Sequence, residues 1–76
     1  MNTKDSALVD RLVQDISQIK TQVEDLQSKA QDNFNEMSEN AQEGPKGEAA
    51  QAEIEALGEA CDFLQEAIDK LGEAQG

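Results

Sequence analysis

Two runs of apolar residues, each stepping alternately by three and four, constrain this chain more than any other feature. In the first run they fall at Val9, Leu12, Ile16, Ile19, Val23, Leu26, Ala30 and Met37, with polar Asn33 at the one skipped position. In the second they fall at Ala50, Ile54, Leu57, Cys61, Leu64, Ile68 and Leu71. A three-four rhythm held over several repeats is the seam of a long helix lying on another helix, and strand-like alternation is absent. Between the runs stands Gly44-Pro45-Lys46-Gly47. Proline is excluded from a helix interior but suits a first turn, and Gly44 suits the left-handed conformation that ends a helix. The pattern predicts one helix over about residues 5–41 and a second over about 46–74, with the turn at 42–47. Asp5 or Ser6 is the expected N-cap of the first helix. Glu48 sits where it favours the positive end of the second helix dipole.

A connection this short makes the helices antiparallel neighbours, so residues 1–76 read as one all-α domain, a coiled-coil-like two-helix hairpin. If the turn centres between Glu43 and Gly44, the seams meet in layers: Ile16 with Leu71, Ile19 with Ile68, Val23 with Leu64, and Leu26 with Cys61. Ala30 with Leu57, Asn33 with Ile54, and Met37 with Ala50 follow. Only the Asn33 layer is mixed, and Phe34 beside it is placed to cover Ile54.

A hairpin of 76 residues buries little, because two helices share a single interface and small domains have thin cores. Apolar groups extend beyond the seam. The second helix carries a flanking row of Ala56, Ala60, Phe63, Ala67 and Ala74, with Gly58 and Gly72 on the other flank. In the expected register the first helix overhangs the second, leaving Leu8, Val9 and Val13 without full cover. These features predict self-association through Leu8, Val9, Val13, Ala60, Phe63 and Ala67, giving a dimeric four-helix bundle. The alanine row is also what helix propensity alone would select.

Seventeen Asp and Glu against six Lys and Arg give a net charge of −11, and there is no His. Such a balance argues against direct binding to a nucleic-acid backbone or an anionic membrane, both of which need a basic surface. Without His the chain lacks the commonest metal ligand and the usual neutral-pH general base. A di-iron site in a helical bundle needs Glu-x-x-His pairs. Asp32-Asn33-Phe34-Asn35-Glu36 lacks the glycine and ligand spacing of a calcium loop. No enzymatic activity, metal or cofactor is expected. Cys61 is unpaired within the chain and, on the seam, acts as a small hydrophobe. No apolar run approaches the length of a membrane span and no signal peptide is read, so a soluble, cytoplasmic protein is expected.

The sharpest surface pattern is acidic. Glu55, Glu59, Asp62, Glu66, Asp69 and Glu73 step by four and three down the side of the second helix opposite its seam. Like charges at this spacing cost a helix a few tenths of a kcal/mol per pair. One reading is a phosphate-mimicking stripe for the basic groove of a partner protein, with electrostatic steering aiding capture. The other is a solvated face that keeps a small helical protein dispersed. A weaker anion-binding set is Lys46 at the second helix N-terminus, with Arg11 and Lys70 toward the open end.

The stretch Gly44-Pro45-Lys46-Gly47-Glu48-Ala49-Ala50, followed by Glu59-Ala60-Cys61-Asp62-Phe63-Leu64-Gln65-Glu66-Ala67-Ile68-Asp69-Lys70-Leu71, resembles the small acidic helical-hairpin proteins of prophages and mobile elements of Firmicutes and gut bacteria. In those proteins a Lys/Arg-Gly-Glu-Ala turn leads into Glu-Ala-Ile-Asp units. The resemblance spans most of the chain on motifs of low specificity. It implies a bacterial host-cell or phage setting and an accessory, non-enzymatic role. The leading functional expectation is therefore a protein-binding module, in concrete form a phage-type acidic inhibitor of a host nuclease or defence protein. Its rivals are an oligomer that sequesters a small anionic nucleotide signal through Arg11, Lys46 or Lys70, and a structural assembly subunit.

Overall fold

The computed structural model describes residues 2–75, and every regular element among them is helical. Helix α1 spans Thr3–Glu36, a one-turn α2 spans Glu39–Glu43, and α3 spans Pro45–Gln75. The molecule is a slab with principal extents of 58 × 15 × 11 Å, two helices wide and one thick. Among the described residues no helix is long and apolar enough to cross a membrane.

The N-cap of α1 lies earlier than the expected Asp5 or Ser6. Asn2 takes that role: its Oδ1 accepts from the Asp5 backbone N–H at 2.8 Å, leaving Asp5 in the first turn, where a carboxylate favours the dipole. The other end differs more. The first helix was expected to continue to residue 41, but Met37 turns to extended backbone at φ −68°, ψ 147°. Ser38 then recaps the chain, its hydroxyl accepting from the Ala41 N–H at 3.2 Å. Serine followed by Glu39 is a good helix start, and it competes with continuation of the preceding helix. The resulting α2 folds back under the end of α1. There Gln42 Nε2 donates to the carbonyl of Phe34 at 2.9 Å, satisfying one of the acceptors that a helix C-terminus leaves open.

Pro45 is the first residue of α3, as its missing N–H and fixed φ favour. Gly44 is extended rather than left-handed, at φ −95°, ψ −170°, so its conformation does not require glycine. The demanding position is Gly47, which is buried. A Cβ there would fall on the Gln42 backbone, within 2.6 Å of its Cα and closer still to its carbonyl. The absence of that one carbon lets α2 lie against the start of α3.

Along the hairpin, α1 and its C-cap Met37 face α3 through Ser6, Val9, Val13, Ile16, Lys20, Val23, Gln27, Ala30, Phe34 and Met37, the positions that lose exposure. This stripe shares Val9, Ile16, Val23, Ala30 and Met37 with the predicted seam. Leu12, Ile19 and Leu26 were expected on the seam but remain 42%, 48% and 52% exposed. Polar Lys20 and Gln27 stand in their place. Lys20 Nζ donates to Gln65 Oε1 at 2.8 Å, and Gln27 Nε2 donates to the Ile54 carbonyl at 3.2 Å. The register is correspondingly displaced, since Lys20 was expected level with Ala67 and meets Gln65 instead. Gly58 explains part of this rotation. The amide of Gln27 lies 2.8 Å from where a Gly58 Cβ would project, so α1 settles its polar side chain into the space that glycine leaves. The mixed layer is rearranged as well: Phe34 shares a small groove with Ile54, as expected, whereas Asn33 lies exposed on the other side.

The expected overhang does not exist. Helix α3 reaches far enough that Gln75 donates both to the Ser6 carbonyl, at 2.9 Å, and to Asp10 Oδ1, at 2.7 Å. Val9 is accordingly buried at 8% exposure, and Val13 is half-buried on the seam. The core is thin: among the described residues Val9, Ala30, Ala50 and Cys61 are its buried hydrophobic members, and no side chain is completely enclosed.

Candidate functional site: an acidic back and an apolar side

Heptad spacing sorts α3 into distinct faces around its seam of Gly47, Ala50, Ile54, Leu57, Cys61, Leu64, Ile68, Leu71 and Gln75. Glu55, Asp62 and Asp69 form one outer row, and Glu59, Glu66 and Glu73 form the next, all six exposed. Asp69 accepts from Gln65 Nε2 at 3.0 Å. Glu73 pairs with Lys70 at 3.2 Å, both side chains being about 70% exposed, so the pair contributes little. Glu55, Glu59, Asp62 and Glu66 have no hydrogen-bond or ion-pair partner among the described residues. A continuous α3 spaces these four carboxylates along a rigid rod, with successive turns rising about 5.4 Å. They are held apart and solvated, an arrangement suited to long-range attraction and unsuited to proton transfer. No group of three or more His, Cys, Asp or Glu able to hold a metal ion lies among the described residues.

The two sides of the hairpin differ. One carries the hydrogen bonds between α1 and α3: Lys20 to Gln65, Gln27 to Ile54, and Gln75 to Ser6 and Asp10. The other is apolar and open. There Leu26, Ala30, Ala56 and Leu57, with Lys29, Asn33 and Glu53, line a groove of ≈ 540 Å³. Leu12 and Ile19 extend this side along α1 one heptad at a time, while Ala60, Phe63 and Ala67 extend it along α3. Phe63 is 66% exposed.

Of the residues expected to self-associate, Leu8, Ala60, Phe63 and Ala67 lie on this apolar side. Val9 and Val13 do not, because α3 already covers them. Sequence reasoning missed Leu12, Ile19 and Leu26 as surface groups by assigning them to the seam. The signal was present in their strict spacing by seven beside the polar residues Lys20 and Gln27.

The expected anion-binding cations are dispersed. Lys46 stands exposed at the turn and Arg11 on the outer face of α1, while Lys70 pairs within its own helix. At the start of α3, Pro45 has no N–H, Gly47 is buried against Gln42, and the Glu48 N–H is taken by the Gly44 carbonyl at 3.1 Å. Cys61 is free and buried on the seam, the position expected of a small core hydrophobe. Neither a protein-family model, nor a curated protein, nor a solved structure matches this chain.

Proposed function

We propose that this protein is a non-enzymatic protein-binding module, a self-associating helical hairpin that presents the acidic rows of α3 to a basic partner. Its most concrete form is a phage-type inhibitor that occupies the nucleic-acid groove of a host nuclease or defence protein in the bacterial cytoplasm. The observation that carries this reading is the unpaired state of Glu55, Glu59, Asp62 and Glu66 on one unbroken helix. Carboxylates left unpaired at intervals of three and four repel one another, and a partner bearing Lys and Arg relieves that repulsion while steering association. The same row points away from the apolar side, so self-association and partner capture use different surfaces. The nucleotide-sequestering alternative lacks comparable support, because Arg11, Lys46 and Lys70 do not converge.

The test is affinity capture from nuclease-treated bacterial lysate, comparing the natural chain with a variant carrying Glu55→Gln, Glu59→Gln, Asp62→Asn and Glu66→Gln. A basic nucleic-acid-binding protein retained by the natural chain, lost from the amide variant and displaced by short duplex DNA is the expected result. Equal retention by both chains refutes the electrostatic reading.

A further inference from the structure

We propose that the apolar side of the hairpin seats the same side of a second copy of this chain, turned about a two-fold axis parallel to the helices. The proposal rests on the self-association part of the reading above and specifies the face and the orientation. The first argument is area. A compact monomer of 8.3 kDa exposes about 4,600 Å², whereas this hairpin exposes 5649 Å². The excess, roughly 1,000 Å², matches the roughly 800 Å² that each partner contributes to a standard interface. It arises because the slab is one helix thick, and stacking a second slab on its apolar side supplies the missing layer.

The second argument is charge. Across this side, including its ends, stand four carboxylates (Asp5, Asp15, Glu36, Glu53) and three lysines (Lys29, Lys46, Lys70), which leaves −1 of the chain's −11. The remainder lies on the outer faces and the hydrogen-bonded side. Two copies therefore meet through nearly neutral surfaces while their acidic rows face away from each other, and the general self-repulsion of so acidic a chain is weakest here.

Orientation follows from size and sign. On α1 the flanking row is large, Leu12, Ile19 and Leu26, whereas on α3 it is small, Ala60, Ala67 and Ala74, and large-on-small packing fills space best. An axis parallel to the helices lays α1 over the partner's α3 and achieves this match, with Phe63 entering between Ile19 and Leu26 of the other copy. A perpendicular axis sets large on large and small on small. Lys29 and Glu53 flank one stretch of groove, and Asp15 is level with Lys70 in the register that joins Lys20 to Gln65. The parallel axis thus brings Asp15 opposite the partner's Lys70 and Lys29 opposite the partner's Glu53.

Sedimentation equilibrium over micromolar to millimolar concentration tests this, with interference optics because the chain has no Trp or Tyr. The natural chain should approach twice 8.3 kDa. Ile19→Lys and Phe63→Lys, both at positions the hairpin itself leaves exposed, should each raise the dissociation constant at least about tenfold. Gln31→Lys on the hydrogen-bonded side should leave it unchanged. Asp15→Lys and Lys70→Glu should each weaken the dimer, and the double variant should restore it. Under a perpendicular axis the double swap sets like charges together and weakens association further, which overturns the orientation. A dimer indifferent to both Ile19→Lys and Phe63→Lys overturns the face while leaving self-association standing. A monomer throughout the range overturns both.

Discussion

Gly47 and Gly72 occupy the same helix, so replacing each by alanine isolates what the α2–α3 junction demands. In a helix interior Gly→Ala gains about 1 kcal/mol from backbone entropy and propensity. At Gly72 nothing among the described residues lies within 4 Å of the new Cβ, so Gly72→Ala should realise most of that gain. At Gly47 the new carbon would sit within 2.6 Å of the Gln42 Cα and closer to its carbonyl. Those atoms are backbone, so no rotamer change relieves the overlap, and α2 must lift from α3. Its lifting also loosens the 2.9 Å bond from Gln42 to Phe34. Overpacking of this kind costs about 1–3 kcal/mol, and subtracting the propensity gain leaves Gly47→Ala destabilising by up to about 2 kcal/mol. In a domain this small, 1 kcal/mol moves Tm by about 4–8 °C. Gly72→Ala should therefore melt above the natural chain and Gly47→Ala at or below it, the two differing by about 4–24 °C. Thermal unfolding followed by far-UV circular dichroism at one fixed concentration measures this, and both positions lie off the apolar side. A Gly47→Ala protein as stable as Gly72→Ala would refute the close approach of α2 to α3.

Two further outcomes follow from the same geometry. Ser38→Ala removes the hydroxyl that accepts from Ala41 and should cost about 1 kcal/mol. The loss should appear as faster amide exchange at Ala41 and Gln42 with little change in α1, and uniform acceleration along the chain would count against a local cap. Raising NaCl from low to physiological concentration should raise Tm, because the acidic rows of α3 repel across one or two turns while, among the described residues, a single exposed ion pair offsets them. The amide variant should show a flatter salt response. An equal slope in the two chains would mean that these carboxylates are not the source of the repulsion.

Much of this architecture is legible in the residues. Pro45 marks the start of α3, and the outward placement of Glu55 through Glu73 follows from their offset against Leu57, Leu64 and Leu71. The break at Met37–Ser38 was less legible, since Ser38 is a strong cap only when the chain can leave the helix there. Its departure is stabilised by Gln42 reaching Phe34 and by Gly47 admitting α2, both of which lie further along the chain. The expected overhang failed for the same reason. The chain spends residues 37–44 on a folded junction, and this sets how far α3 extends along α1.

What the sequence determined by itself is the two long helices, their antiparallel pairing and the acidic back, because each depends on periodicity or on a local conformational rule. The tertiary structure alone decided which side of α1 meets α3. Rows 12, 19, 26 and 13, 20, 27 are one residue apart, about 100° around the helix axis, and both flank the shared positions Val9, Ile16, Val23 and Ala30. Periodicity weighs them by hydrophobicity and favours Leu12, Ile19 and Leu26. Packing instead placed Lys20 against Gln65 and Gln27 into the space beside Gly58, where small residues let the helices close. Helix α3 can cover only one of these two adjacent rows, and the apolar row it left uncovered became the hairpin's open side.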